Sequence, residues 1–171
     1  MLDARRLVEL LGLEPHPEEG GFFREVYRSR ESLAADTLPA RYGAARSVST
    51  AIYYLLTPQT FSEMHRLLSD EVFHFYLGDP VEQLQLAADG TGKTVLLGSD
   101  VEAGQMPQGL VPAGVWQGAW LLPGGAHGWA LLGATVAPGF DFADYEPGHR
   151  AELTAAYPDF TEAIARLTRR E

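Results

Sequence analysis

The chain has 171 residues, of which 46% are hydrophobic, 11% aromatic and 21% charged; this composition excludes a disordered or fibrous protein and suits one globular domain, residues 1–171. Its 13 basic and 23 acidic residues give a net charge of −10, which argues against nucleic-acid and membrane-surface partners, although a local basic patch for one phosphate is compatible with it. Cysteine is absent, so disulfides, thiolate nucleophiles and thiolate metal sites are excluded.

The opening stretch MLDARRLVEL mixes charges with apolar residues and is not expected to be a secretory signal. No window reaches the roughly 18 apolar residues of a membrane span. The sequence therefore predicts a cytoplasmic, soluble protein. Asp3 caps a first helix over residues 1–12, with Leu7, Val8, Leu10 and Leu11 as its apolar stripe and Gly12 as its stop. His16 to Gly21 reads as a turn-rich loop, Phe22 to Tyr27 as a strand, and residues 30–46 as an irregular excursion.

From Ser47 onward the periodicity is that of strands: Ser49 to Thr57, Phe61 to Leu67, Glu71 to Tyr76, Val81 to Leu86 and Lys93 to Leu97, with Asp89-Gly90 as a hairpin turn. Gly109 to Val111, Val115 to Leu122 and Trp129 to Val136 complete the set. Many short strands separated by Gly and Pro predict an all-β sandwich or barrel. Residues 147–170 read as helical, one helix over His149 to Tyr157 and a second capped by Asp159 with Glu162.

Among the five histidines, His65 and His74 fall in central strands. A tight Ser69-Asp70 turn separates His65 from Glu71, so the two are expected to face each other across adjacent strands, about 5 Å apart at Cβ. Glu71 shares its strand face with Phe73 and Phe75, aromatic surroundings that raise a carboxyl pKa. His74 has the opposite parity and points toward a second layer or an interface. Tyr53 and Tyr54 lie on opposite faces, so one of them lines the pocket. Tyr53 is the candidate proton donor. Arg24, Arg28 and Arg46 are candidate anion clamps, with Arg46 taken into the ligand set. His16, His127 and His149 sit in loops or at a helix start and receive no role.

The segment His65-Arg66-Leu67-Leu68-Ser69-Asp70-Glu71, with Gly78 further on, resembles the first cupin motif, H-x-H-x(3,4)-E-x6-G. Pro112-Ala113-Gly114-Val115-Trp116-Gln117 resembles the core of the second, P-x-G-x-x-H. Gly20 to Ser29, Ile52 to Leu56, Glu71 to Pro80 and Val136 to Phe142 resemble the uncharacterised DUF985 (cupin_5) family. The resemblance implies a double-stranded β-helix, or jelly-roll barrel, with short N- and C-terminal helices, a homodimer and a small-molecule ligand. Metal-binding cupins use the two histidines, the glutamate and the later histidine as ligands. Here Leu67 takes the second histidine's place and Gln117 the last one's.

The resemblance and the residues together leave three readings open. The first is a metal-independent isomerase or epimerase acting on a carbohydrate-like ligand, with His65, Glu71 and Tyr53 catalytic and Gln117, His74, Phe73, Phe75 and Arg46 binding the ligand. The second is a non-catalytic binding or storage-like cupin. The third is a weak metalloenzyme holding Ni, Mn, Fe or Zn on His65, Glu71 and Gln117, with His74 joining only in a different register. No cofactor is required in the first two.

Overall fold

The structure, a computed structural model, describes residues 2–169. Met1, Arg170 and Glu171, the outer ends of the predicted domain and C-terminal segment, lie outside the described residues. Helix α1 (Ala4–Leu11) is capped by Asp3, whose carboxylate accepts from the Arg6 amide at 2.8 Å, and ends at Gly12 in the left-handed region. Strands β1 (Glu14–Pro15) and β2 (Phe22–Arg28) follow, and the excursion carries two short ones, β3 (Ser32–Leu33) and β4 (Arg46–Ser47). The barrel is then built from β5 (Thr50–Leu56), β6 (Phe61–Arg66), β7 (Asp70–Gly78), β8 (Val81–Leu86), β9 (Gly92–Leu97), β10 (Gln108–Val111), β11 (Trp116–Leu121) and β12 (Ala130–Ala137). Strand β13 (Glu146–Pro147) and helices α2 (Arg150–Ala156) and α3 (Thr161–Arg166) close the described chain.

Two antiparallel sheets face each other, ordered β1-β2-β5-β12-β7-β10 and β13-β6-β11-β8-β9. This is the all-β jelly roll with short terminal helices that the sequence predicts. Alternation along each strand decides what the barrel encloses. On β5, Tyr54 and Leu56 turn inward to meet Phe73, Val81, Leu97, Val111 and Leu132. Leu55 and Tyr53 turn outward, under α1 beside Leu7, Leu13, Trp129 and Leu131. The outer face of the five-stranded sheet is covered by α2 and α3, where Met64, Leu84, Leu86 and Trp120 pack on Leu153, Ile164 and Leu167.

The capping box predicted at Asp159–Glu162 does not form. Pro158–Phe160 is a 3-10 turn, Thr161 begins α3, and the N-cap is Phe160, with no side-chain cap. Packing outweighs capping here: Phe160 seats on the cluster beneath the helices, close enough that a Cβ on Gly92 would lie 2.5 Å from its ring.

The predicted hairpin between His65 and Glu71 is also replaced by another arrangement. Strand β6 pairs with β11 and β13, whereas β7 pairs with β12 and β10. The Ser69-Asp70 corner therefore carries the chain from one sheet to the other. It is held there by Ser69 Oγ at 3.0 Å from the Tyr42 hydroxyl and by Asp70 Oδ1, which accepts from the Ala113 amide at 2.8 Å.

The excursion is anchored by Arg46. Its guanidinium is 5% exposed, donates to Asp144 Oδ2 at 2.8 Å and also engages Oδ1, and it reaches the carbonyls of Ala45 and Tyr42. Arg46 thus points into the β4–Asp144 junction rather than toward a ligand. Arg46→Met strands the Asp144 carboxylate in an apolar setting and is expected to lower unfolding stability by about 3 kcal/mol. Urea titration measures this, and adding Asp144→Leu should recover most of the loss; a single variant as stable as the wild type would refute the anchoring role.

Candidate functional site

The inner residues of both sheets converge on a cavity of about 70 Å³, room for roughly five water-sized groups. Phe23, Ile52, Leu67, Val136 and Phe140 form its apolar walls, and His16, Glu19, His65 and Glu71 are polar groups turned into it. Arg28 and Glu25 also line it, paired with each other at 2.9 and 2.7 Å.

His65 is 1% exposed. Its Nδ1 lies 2.7 Å from the Glu63 carbonyl, which can only accept, so Nδ1 carries a proton and it is Nε2 that can present a lone pair to the cavity. The ring stacks on Tyr145 with centroids 5.0 Å apart, which fixes its plane. Gln117 is the direct cross-strand partner of His65 on β11. Its amide Nε2 crosses the barrel and donates to Glu71 Oε2 at 2.7 Å. Burial pushes the Glu71 pKa up to about 8, the negative charge of Glu19 adds to this, and the Gln117 bond opposes it. At neutral pH the Glu71 carboxyl holds its proton.

The other two polar groups, His16 and Glu19, come from the loop before β2. His16 Nδ1 accepts from the amides of Glu18 at 3.3 Å and Glu19 at 2.9 Å. The Glu19 carbonyl takes the Glu63 amide at 2.8 Å, and Ser62 donates its hydroxyl to Glu19 Oε1. Glu19 Oε2 then stands 3.9 Å from His16 Nε2 and 3.9 Å from His65 Nε2. The following Gly20-Gly21 pair has φ of 90° and 71°, and a Cβ on Gly20 would lie 2.6 Å from the Phe61 carbonyl oxygen. Tyr54 donates its hydroxyl to the Gly20 carbonyl at 2.8 Å and closes the clamp. Gly20→Ala is therefore expected to cost about 2 kcal/mol and to move Glu19 away from both histidines, visible as loss of His16 and His65 chemical shifts from their wild-type positions. Unchanged shifts and stability would contradict the clamp.

The other predicted site residues lie elsewhere. Tyr53 is on the outer face, edge-on to Tyr76 with centroids 6.2 Å apart, while Tyr54 faces inward. His74 is also outward, with Nε2 3.0 Å from the Thr135 hydroxyl and its ring stacked on Tyr76. Phe73 and Phe75 belong to the inner apolar cluster. His16 and Glu19 received no role from the sequence. Their one legible signal was the Glu-Gly-Gly run, which demands a backbone pressed against another strand.

The residues do not fit the four-ligand metal centre that the cupin motif implies. Leu67 presents an alkyl group to the cavity where a ligand nitrogen is needed, and Gln117 turns its N–H, a donor, toward Glu71. Among the described residues no three His, Asp or Glu are grouped to hold one ion. No helix among them is long and apolar enough to cross a membrane.

The model of the family described as Cupin superfamily (DUF985) matches residues 5–147. The chain is 32% identical over 136 residues to the uncharacterized protein YML079W of Saccharomyces cerevisiae, covering 74% of this chain and 66% of that protein, just under two thirds of its length. Among solved structures, a hypothetical protein from Leishmania major superposes with a TM-score of 0.89 at 32% identity, over 99% of this chain and 100% of that one. Protein SO0799 from Shewanella oneidensis gives 0.87 at 34% identity over 100% of both chains. Oxalate decarboxylase from Bacillus subtilis gives 0.53 at 15% identity over 93% of this chain and 38% of its own, a likeness of fold alone. The chain belongs to the DUF985 family of the cupin superfamily.

Proposed function

We propose that this cupin binds a small polar metabolite in the cavity between its sheets and moves a proton on it, as an isomerase or epimerase without a required metal. One observation carries this reading: His65, with its Nδ1 proton engaged by a backbone carbonyl, and Glu71, with its carboxyl pKa raised by burial, line the same cavity from opposite sheets. His65 Nε2 removes the proton of a C–H bond beside a carbonyl. The bonding pair moves into a new C=C bond and the carbonyl π pair moves onto oxygen. Glu71 returns a proton to carbon from its own wall and is left as carboxylate; transfer from imidazolium to carboxylate through solvent resets both groups. A base on one wall and an acid on the other suit a planar intermediate approached from two faces.

The cavity volume favours a ligand or reacting end of about six heavy atoms. The homodimer implied by the resemblance and the cytoplasmic location expected from the sequence are part of the proposal. Exposed Tyr27, Tyr76 and Leu110 on the six-stranded sheet support self-association. The test is deuterium incorporation from D2O into hydroxyacetone and dihydroxyacetone, read by proton NMR. Incorporation above the uncatalysed rate supports catalysis. A stabilised melting transition without any exchange would favour a receptor instead.

A further inference from the structure

The two cavity histidines are locked in opposite tautomers. His65 gives its Nδ1 proton to the Glu63 carbonyl and offers a lone pair. His16 does the reverse: its Nδ1 accepts from two backbone amides, Glu18 and Glu19, so this nitrogen has no proton and Nε2 must carry one. The ring is held by packing on Phe23, centroids 4.5 Å apart, and is 8% exposed. Its Nε2–H points into the same cavity as His65 Nε2, and the Glu19 carboxylate oxygen lies 3.9 Å from each. That spacing is too long for direct hydrogen bonds and leaves each of the three groups free to meet a ligand atom in the cavity they share.

We propose that His16 is a catalytic hydrogen-bond donor: its Nε2–H binds the carbonyl oxygen of a small α-hydroxy carbonyl ligand and stabilises the enolate that forms when His65 takes the neighbouring proton. The proposal rests on the proton-transfer reading above and deepens it by naming the substrate class, an α-hydroxy ketone or aldehyde whose hydroxyl Glu19 accepts from. His16 transfers no proton. Its hydrogen bond strengthens as the carbonyl π pair moves onto oxygen, which is where a preorganised donor lowers a barrier. A donor of this kind works best as neutral imidazole, because an imidazolium would lose its proton to the enolate. Burial supplies this by lowering the His16 pKa, against the opposing pull of Glu19.

Two substitutions separate donation from loop support. An Asn side chain keeps an acceptor near the position of Nδ1 but has no group at Nε2, whereas Gln places an N–H near Nε2 and loses the acceptor for the loop amides. His16→Asn is expected to stay close to wild-type stability and lose 10²- to 10³-fold in exchange of dihydroxyacetone protons. His16→Gln is expected to be less stable yet to exchange at least ten times faster than His16→Asn. A merely structural His16 gives the opposite order, with exchange following stability, and that order would overturn the proposal. A second arm needs no turnover: glycolohydroxamate, which mimics the enolate of a hydroxy carbonyl, should bind His16→Asn at least tenfold more weakly than the wild type and His16→Gln nearly as well as the wild type. Equal binding by all three, or none by the wild type, would overturn it. In nitrogen NMR, His16 must show the Nε2–H tautomer and His65 the Nδ1–H tautomer; the same tautomer at both would sink the inference. If the hydroxamate pattern holds while the wild type exchanges no deuterium, the donor stands and the proton-transfer reading fails.

Discussion

Replacing His65 with Ala is expected to lower deuterium incorporation into dihydroxyacetone by 10²- to 10⁴-fold, the contribution of a positioned general base. The expectation follows from three contacts. The Glu63 carbonyl selects the tautomer, Tyr145 fixes the ring plane, and the cavity receives Nε2. His65→Ala removes all of these together, so a second variant is needed to separate chemistry from packing. His65→Asn retains an N–H able to reach the Glu63 carbonyl but lacks any base at the position of Nε2. It should lose as much activity as His65→Ala while melting closer to the wild type. The space left in His65→Ala lies against Tyr145 and should admit free imidazole, which restores part of the rate. Exchange within threefold of wild type in either variant would remove His65 from the reaction.

The fold was legible in the sequence because its signals are local. Val81 to Leu86 was read with the boundaries that the structure shows, and Asp89-Gly90 forms its turn with Gly90 at φ 87° and Thr91 bonded to Asp89. What local reading could not supply was which strands share a sheet. A short turn between two β runs looks like a hairpin, yet β6 and β7 part at Ser69-Asp70 because Tyr42 and Ala113, far away in the chain, supply the partners for that corner. His65 and Glu71 consequently meet through Gln117 across the barrel instead of along a ladder. The Tyr53–Tyr54 choice depended on the same information, since α1 covers one face of β5 and makes Tyr53 an outer residue. Arg46 read as an anion clamp because its partner, Asp144, is 98 residues away. His16 and Glu19 stayed silent for a related reason. Neither belongs to a periodic element, and their chemistry arises only when two positive-φ glycines press the loop onto β6.

Glu71 makes the largest stability prediction, and its direction distinguishes it from an ordinary carboxylate. Its pKa is about 8 in the folded chain against 4.5 when solvated. Between these values the folded state holds a proton that the unfolded state has released, so stability falls as pH rises through this window and levels off above it. The full interval corresponds to on the order of 5 kcal/mol, at 1.36 kcal/mol per unit. His16 acts on the other limb: its pKa is lowered by burial, so protonation of the unfolded chain below 6.5 removes stability as pH falls. Glu71→Gln keeps an oxygen to accept the Gln117 amide and never ionises. It should match the wild type near pH 4.5 and become progressively more stable than it up to pH 9, by several kcal/mol in urea titrations at each pH. Two parallel stability curves would mean that Glu71 ionises normally and cannot serve as the acid at neutral pH. Where the curves diverge as expected, the same substitution should abolish proton return, so that the more stable protein is the inactive one. A buried acid whose ionisation works against the fold is retained at a cost in stability, and the proton it keeps at neutral pH is the property an acid facing His65 requires.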